Sequence, residues 1–255
     1  MHKLAFVPAL CLALAGCLHA PAPERNPLAE WVPSDNHNAR KPSLIVLHAT
    51  EQESVQQSLD TLRSANRHGR VSAHYLIGDD GRLYQLVADA DRAWHAGAGS
   101  WGTITEVNSA SIGIEIDNDI GEPYTEAQIA TLLRLLDDLT TRHGIAKTQV
   151  IGHSDLAPTR KRDPGDLFPW QRLAEAGYGL WPSGELRDPP AGFDPWLAMA
   201  AIGYPLQDRA AAVRAFHRRF RARDDGTDPD PAFDAQDLRI LHALSQRLTG
   251  APPAP

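Results

Sequence analysis

Short apolar runs rich in Val, Ile and Leu alternate with helical patterns along this chain. This alternation limits the fold more than any other feature of the sequence. Each run is too short for a typical helix and is bounded by turn residues, as expected for strands buried in a sheet. The predicted strands are 43–50, 73–78, 82–87, 111–117 and 148–153. The sequence Asp-Asp-Gly at 79–81 predicts a hairpin between the second and the third of them.

The clearest helix is predicted over residues 125–144. Thr125 and Gln128 form a capping-box pattern at its start, and Gly144 is a typical residue just past a helix end. Between these ends, Leu and Ile recur every three or four positions and form one apolar stripe. A shorter helix is predicted at 53–65. Because helices separate the strands, we expect an α/β fold with a mixed central β-sheet flanked by helices.

The composition changes after Trp181. Residues 182–194 are rich in Pro and Gly and predict a linker. Three short helices are predicted beyond the linker, at 195–202, at 208–222 and, capped by Asp234, at 235–248. We therefore expect a catalytic domain over 43–181 and a small C-terminal three-helix domain over 195–250. No internal repeat is visible in the sequence.

The first residues predict export and lipid attachment. The apolar run 4–15 has the length of a signal-peptide core and is too short to span a bilayer as a helix. It leads into Leu-Ala-Gly-Cys at 14–17, which resembles the bacterial lipobox, whose cysteine is acylated and becomes the first mature residue. An ordinary secretory signal with a chance cysteine is the alternative. We predict a signal peptide over 1–16, lipidation at Cys17, and a tether rich in Pro, Ala and Asn over 17–42.

These N-terminal features predict a periplasmic protein anchored to the outer membrane. Cys11 lies within the predicted signal peptide, so the acylated mature chain has no cysteine left for a disulfide. Leu18 follows Cys17, whereas lipoproteins retained at the inner membrane of Gram-negative bacteria usually have Asp there. Two or three acyl chains satisfy the requirement for stable membrane attachment. The net charge of −7 argues against nonspecific nucleic-acid binding, which depends on clustered Lys and Arg, and no protein partner is evident.

Three residues have side chains suited to a metal ion. His48 and His153 lie at the ends of two predicted strands, and Asp163 follows in a polar loop punctuated by Pro and Gly. Two imidazoles and one carboxylate suit a catalytic zinc ion, which keeps a fourth position for water. However, a single histidine on an apolar strand is more often structural, and these residues match no short zinc motif. The residues alone therefore leave both interpretations open.

Glu115 and Lys161 are candidates for catalysis. Glu115 lies among isoleucines in a predicted strand, where a carboxylate is costly unless it is paired or used. It could act as a general base, or it could be a glutamate at the solvent-facing rim of the strand. Lys161 lies two residues before Asp163, and in an extended segment both side chains point the same way. It could stabilise an oxyanion, although a solvated loop lysine is the commoner case.

Five motifs in this order resemble the zinc-dependent N-acetylmuramoyl-L-alanine amidases of the amidase-2 family. The resemblance covers about residues 40–181 and is greatest to the AmiD-type outer-membrane lipoprotein branch. The motifs are IVLHAT at 45–50, VSAHYLIGDDGRLYQLV at 71–87, AWHAGAGSW at 93–101, SIGIEI at 111–116 and GHSDLAPTRKRDPGDLFPW at 152–170. Any one of them alone is a weak signal, whereas all five together are specific.

The resemblance implies one zinc ion held by His48, His153 and Asp163. It also implies that Glu115 is the catalytic glutamate and that Lys161 stabilises the transition state. The implied reaction is hydrolysis of the amide between the lactyl group of N-acetylmuramic acid and L-alanine. This bond joins glycan and stem peptide in peptidoglycan and its muropeptides, and its cleavage belongs to cell-wall turnover and recycling.

Trp94 and His95 resemble the wall of the substrate cleft in that family. Packing under a loop is the alternative for Trp94, since tryptophan is usually largely buried. Residues 195–248 resemble a three-helix peptidoglycan-binding module, in which glutamine commonly stands at the position of His217. Two other functions stay open: a recognition module that binds peptidoglycan without cutting it, and a zinc peptidase acting within the stem peptide. The presence of all three ligand types and of the Glu–Lys pair favours the amidase over the recognition module.

Overall fold

The computed structural model describes residues 25–37, 42–66 and 69–250. The predicted signal peptide and the predicted lipidation site, Cys17, lie outside the described residues. Within the described part of the chain, no helix has the length and apolar character needed to cross a membrane.

A six-stranded mixed sheet forms the centre of the protein. Its strands are β1 (Glu30–Trp31), β2 (Leu44–Ala49), β5 (Tyr75–Ile77), β6 (Leu83–Gln85), β7 (Ser111–Ile116) and β8 (Val150–Gly152). They lie in the order β1-β6-β5-β7-β2-β8. All neighbours are parallel except β5 and β6, which form the antiparallel hairpin that the Asp-Asp-Gly turn predicts. Two further short strands, β3 (Ala65–Asn66) and β4 (Gly69–Arg70), pair with each other.

Helices flank this sheet, which confirms the predicted fold class. They are α1 (Val55–Arg63), α2 (Val107–Ala110), α3 (Glu126–His143), α4 (His153–Leu156), α5 (Trp170–Glu175), α6 (Pro195–Ile202), α7 (Arg209–Arg221) and α8 (Ala235–Thr249). The capping box of α3 forms as predicted: the Thr125 hydroxyl accepts a hydrogen bond from the Gln128 N–H at 3.1 Å. The Thr125 N–H in turn donates to the Gln128 side chain at 2.9 Å, and Gly144 ends the helix with a left-handed φ of 65°.

The two faces of the sheet are covered by different parts of the chain. Side chains alternate between faces along a strand. Ile45 and Leu47 of β2 pack in the cluster that contains the apolar stripe of α3. Leu44 and Val46 point to the other face and share one continuous cluster with apolar side chains of the C-terminal helices, among them Met199, Phe216 and Leu241. His48 has the same parity as Leu44 and Val46, so it lies on the face opposite α3.

Three features differ from the sequence-based expectations. The described residues 25–37 of the predicted tether are packed on the sheet: Asn26 is 2% exposed, and its N–H donates to the Gln85 side chain at 2.9 Å. The last predicted strand is shorter than expected, because Lys147–Gln149 form a 3₁₀ turn and His153 opens α4. The helix predicted over 235–248 has leucines at helical spacing, as expected for a buried apolar stripe, but the last of them, Leu248, is 44% exposed.

Candidate active site

The candidate site lies at the carboxyl ends of three parallel strands, where ligand sites of such sheets commonly form. The register of β2 with β7 places His48 directly beside Glu115. β8 pairs with the other edge of β2, and His153 follows β8 immediately. Asp163 and Lys161 line the same open cleft, whose volume is about 610 Å³ including the solvent space at its mouth. The fold therefore brings together all five residues that the sequence singled out for chemistry.

Three ligand atoms of the site form a nearly equilateral triangle. His48 Nδ1 lies 3.0 Å from His153 Nδ1, and Asp163 Oδ2 lies 3.1 Å from the first nitrogen and 3.0 Å from the second. All three residues are buried. Ligand atoms at 2.0–2.1 Å from a tetrahedral zinc ion are about 3.3 Å apart, which is close to the spacing found here. Among the described residues, this is the one group of three or more His, Cys, Asp or Glu that could hold a metal ion.

Backbone carbonyls fix the protons of both histidine rings. The Nε2 of His153 lies 2.9 Å from the Ala96 carbonyl, which can only accept, so neutral His153 carries its proton on Nε2. Its Nδ1 is then an unprotonated lone pair that points at the triangle. This arrangement, with one ring nitrogen donating to a carbonyl and the other available as a ligand, is typical of metal-binding histidines.

A longer hydrogen-bonded chain fixes the proton of His48 in the same sense. At its far end, the Ser111 hydroxyl donates to the Val107 carbonyl at 2.6 Å. Ser111 Oγ therefore accepts from His95 Nε2 at 3.2 Å, and His95 Nδ1 accepts from His48 Nε2 at 3.0 Å. His48 Nδ1 is left as a second unprotonated lone pair in the triangle. We name Val107, Ser111, His95 and His48 the proton chain.

Electrostatics support a cation at the centre of the triangle. Burial, followed by the charge of His153, lowers the pKa of His48 to about 4, so His48 is neutral near pH 7. Burial alone would raise the pKa of Asp163, but the charge and hydrogen bond of His153 and the contacts of His48 hold it far below its usual value. When both imidazoles are neutral with their protons on Nε2, two lone pairs and a carboxylate oxygen face one another at 3.0–3.1 Å, and they repel one another unless a cation lies between them. The buried Oδ1 of Asp163 has no hydrogen-bond partner in the part of the chain that the structure describes, which further leaves this carboxylate available to a cation. The donor set fits zinc.

The loop that carries Asp163 is held at both of its sides. The Ser154 N–H donates to the Asp163 carbonyl at 2.9 Å, so the loop returns to α4 directly behind His153. The Tyr124 hydroxyl donates to the Pro164 carbonyl at 2.7 Å. The first contact connects the segments of two candidate ligands, His153 and Asp163, through backbone atoms as well as through the triangle.

Glu115 faces the triangle from β7. Its side chain is 13% exposed, and Oε1 lies 4.0 Å from His48 Nδ1. Burial, followed by the negative charge of Asp163, raises the pKa of Glu115 well above its usual value, whereas the positive charge of Lys161 acts in the opposite direction. A carboxyl group whose pKa is raised and that lies beside an open cleft is suited to taking up a proton and releasing it again.

Trp94 and His95 both line the cleft. The backbone N–H of Trp94 donates to Ser72 Oγ at 2.9 Å, which connects this side of the cleft to the segment of Ser72. The His95 ring lies against Gly113 of β7: a Cβ at that position would be 2.4 Å from the ring. The sequence predicted a substrate contact for His95 and missed its contact with His48. The glycine within an apolar strand was the signal for a ring packed closely on that strand.

Other charged residues of the polar loop have structural partners. One Arg160 nitrogen donates to the carbonyls of Ala96 and Ala98, each at 2.6 Å, so Arg160 holds the segment that binds His153.

Glu51, which the sequence did not single out, also lines the cleft and adopts a left-handed φ of 50°. Burial and then the charge of Asp163 raise its pKa.

Comparison with known proteins identifies the family. The amidase-2 family, described as N-acetylmuramoyl-L-alanine amidase, matches residues 38–166, which make up half of the chain and include the whole triangle. The chain belongs to this family. AmiD of Escherichia coli K12, an N-acetylmuramoyl-L-alanine amidase, is 38% identical over 158 residues, or 56% of this chain and 55% of AmiD. This chain thus spans about half the length of AmiD.

Other amidases show the same likeness. AmpD of Enterobacter cloacae, a 1,6-anhydro-N-acetylmuramyl-L-alanine amidase, is 34% identical over 164 residues, or 57% of this chain and 88% of AmpD. A solved structure of E. coli AmiD with the substrate anhydro-N-acetylmuramic acid-L-Ala-D-γ-Glu-L-Lys has a TM-score of 0.70 at 32% identity and covers 81% of this chain and 89% of that chain. AmpDh3 of Pseudomonas aeruginosa with an anhydromuramic pentapeptide has a TM-score of 0.71 at 32% identity and covers 82% and 93%.

Proposed function

We propose that this protein is a zinc-dependent N-acetylmuramoyl-L-alanine amidase. It cleaves the amide between N-acetylmuramic acid and L-alanine in peptidoglycan or its muropeptides. The observation that carries this proposal is the convergence of two unprotonated Nδ1 atoms and the Asp163 carboxylate beside Glu115 in an open cleft. The substrate class is supported by the muropeptide substrate bound to E. coli AmiD in its solved structure.

Each residue of the cleft has a proposed part in the reaction. His48, His153 and Asp163 hold one zinc ion, which when bound polarises the scissile carbonyl and lowers the pKa of water to about 7. Glu115 accepts the proton of the attacking water and passes it to the leaving amine of L-alanine, as its raised pKa allows. The Lys161 ammonium stabilises the negative charge that develops on the carbonyl oxygen.

The surroundings of these residues prepare the site. The proton chain and the Ala96 carbonyl hold both histidine rings with their lone pairs directed inward before a substrate arrives. We propose that Trp94 and His95 form the wall of the cleft against which the substrate packs. Preorganised groups of this kind lower the reorganisation that the transition state requires.

We further propose that the enzyme acts in the periplasm, anchored to the outer membrane through acylated Cys17 after removal of residues 1–16. The motif Leu-Ala-Gly-Cys supports this proposal. In this proposal residues 17–42 follow the anchor, 43–181 are the catalytic domain and 182–194 the linker. Residues 195–250 then form a peptidoglycan-binding-like helical domain. A Cys17→Ala variant that still fractionates with membranes would contradict the lipid anchor.

Mass spectrometry of a muropeptide digest tests the main proposal. The zinc-loaded protein is incubated with purified muropeptides that carry either intact or 1,6-anhydro muramic acid. Release of the complete stem peptide, with L-alanine at its free amino end, is the expected result. Muropeptides that stay intact would refute the enzyme and favour a recognition module. Fragments cut between amino acids of the stem would assign a zinc peptidase instead.

A further inference from the structure

We propose that two residues of the C-terminal part of the chain, Arg219 of α7 and Tyr204, are positioning residues for His153 and so support the metal site. Both act through Asp155, a buried carboxylate in α4. This inference rests on the proposed function only in taking His153 as a metal ligand. It gives the C-terminal segment a task beyond any contact with peptidoglycan.

Asp155 gathers three hydrogen bonds around the backbone next to His153. Its Oδ2 accepts from the Gly152 N–H at 2.8 Å and from one Arg219 nitrogen at 2.5 Å. Its Oδ1 accepts from the Tyr204 hydroxyl at 2.7 Å. Asp155 is 1% exposed, so water does not compete for these contacts. The carboxylate thus connects the residue just before His153 to two side chains from the C-terminal part of the chain.

Arg219 holds the strand that leads to His153 as well. A second nitrogen of its guanidinium donates to the Val150 carbonyl in β8 at 3.1 Å. The guanidinium also lies over the ring of Trp170, 4.2 Å from the ring centroid. The side chain of Arg219 is 3% exposed. A planar guanidinium can hold a carboxylate and a carbonyl at once in a fixed geometry, which a lysine ammonium does less well. Arg219 therefore connects β8 to α4 across the position of His153.

The geometry of α4 affects two of the three candidate ligands. α4 has only four residues and cannot hold itself in place, because so short a helix is unstable without tertiary contacts. Its first residue is His153, and the N–H of its second residue, Ser154, donates to the Asp163 carbonyl. A shift of α4 therefore displaces His153 and the loop of Asp163 together.

Loss of the Arg219 charge leaves a buried carboxylate without its cation. A buried ion that loses its partner is strongly unfavourable and draws in water or moves towards it. For Asp155, such movement pulls on Gly152 and α4, and so changes the triangle. A C-terminal domain that only bound peptidoglycan could lose this contact without any change in metal affinity.

The experiment compares two arginines of the same helix in the full-length protein. Arg219→Gln removes the contact with Asp155, and Arg219→Lys restores a positive charge. Arg221→Gln is the matched control, because Arg221 forms its ion pairs with Asp234 and Asp237, which lie at the start of α8. For each variant, the zinc dissociation constant is measured by competition with a chromophoric chelator, the visible absorption spectrum is recorded with Co²⁺, and thermal unfolding is followed.

We expect Arg219→Gln to weaken zinc binding about 10- to 100-fold, as is typical for groups that support metal ligands. Its Co²⁺ spectrum should change, and Arg219→Lys should recover part of the affinity. Arg221→Gln should keep the affinity and the spectrum of the unmodified protein even where its melting temperature falls. An Arg219→Gln variant with unchanged affinity and spectrum, or equal losses in both glutamine variants, would overturn the inference.

Tyr204→Phe tests the same inference if the Arg219→Gln variant does not fold. It removes only the Tyr204 hydroxyl that donates to Asp155, and it is expected to weaken zinc binding several-fold. Unchanged zinc binding would overturn the inference. Zinc affinity of the unmodified protein is measured without substrate. If the unmodified protein binds no zinc, the proposed function fails. If it binds zinc and the variants bind equally well, only this inference fails.

Discussion

Replacing His95 by phenylalanine interrupts the proton chain at its centre. His48 Nε2 donates to His95 Nδ1 at 3.0 Å, and His48 is 2% exposed. Phenylalanine keeps a flat ring against Gly113 but offers no acceptor. The His48 N–H is then buried without a partner, which costs about 1–3 kcal/mol.

This cost falls on the metal-bound protein alone. Without a metal ion, His48 can move its proton to Nδ1, where it donates to Asp163 Oδ2 at 3.1 Å. With a metal ion bound at Nδ1, the proton must stay on Nε2, which faces the phenylalanine. Because the metal-bound protein bears this cost and the metal-free protein does not, metal affinity falls by about 10- to 100-fold, since 1.4 kcal/mol corresponds to a factor of ten.

Zinc affinity, measured by competition with a chelator, checks this prediction. Ser111→Ala acts one step further along the proton chain and is expected to cause a smaller loss, because His95 Nδ1 can still accept from His48 Nε2 although Ser111 no longer fixes the tautomer of His95. Ser43→Ala is the matched control, since Ser43 is exposed and, among the described residues, its hydroxyl makes a single long contact of 3.5 Å with the Ala110 carbonyl. A His95→Phe variant that binds zinc as tightly as the Ser43→Ala control would refute the reasoning about the proton chain.

Three further predictions concern catalysis, backbone geometry and pH. Glu115→Gln should keep zinc and lose about 10²- to 10⁴-fold in stem-peptide release, and unchanged turnover would remove Glu115 from the mechanism. Gly81→Ala should lower the free energy of unfolding in urea by about 1–3 kcal/mol, because φ is +80° and the new Cβ lies 2.8 Å from the Ala127 carbonyl oxygen. Burial alone would raise the pKa of Asp89, but hydrogen bonds from His143, Tyr75 and Arg142 lower it from 3.8 to about 2. The resulting stabilisation of about 2 kcal/mol is present above pH 4 and lost as pH falls from 4 to 2, a slope that denaturant titrations should find reduced in Asp89→Asn.

Local chemistry explains which parts of the fold could be predicted from the sequence. The capping box of α3 involves residues three positions apart, and the Asp-Asp-Gly turn acts within four residues, so both are visible in any short window. The packing of Asn26 depends on Gln85, which is 59 residues away, and no local pattern marks such a pair. For that reason the stretch 25–37 could be mistaken for a tether.

The candidate site divides in the same way. The residue types of His48, His153 and Asp163 suggested a metal, and the five motifs supplied their grouping through family resemblance. The direct pairing of His48 with Glu115 follows from the register of two strands and is invisible in either strand alone. The buried ion pair of Asp155 with Arg219 joins residues 64 positions apart, and each looks like an ordinary charged residue in the sequence.

The strand order affects how well the folded protein resists unfolding and proteolysis. β8 is the last strand within the described residues and lies at one edge of the sheet, so His153 reaches His48, 105 residues earlier, only when that edge is complete. Contacts between residues so far apart in the sequence form slowly. An ion that binds only the closed edge adds about 2.7 kcal/mol of stability at a free concentration 100 times its dissociation constant. In the proposed function, the supply of metal in the surroundings then affects how long the folded protein resists unfolding and proteolysis, as well as its activity.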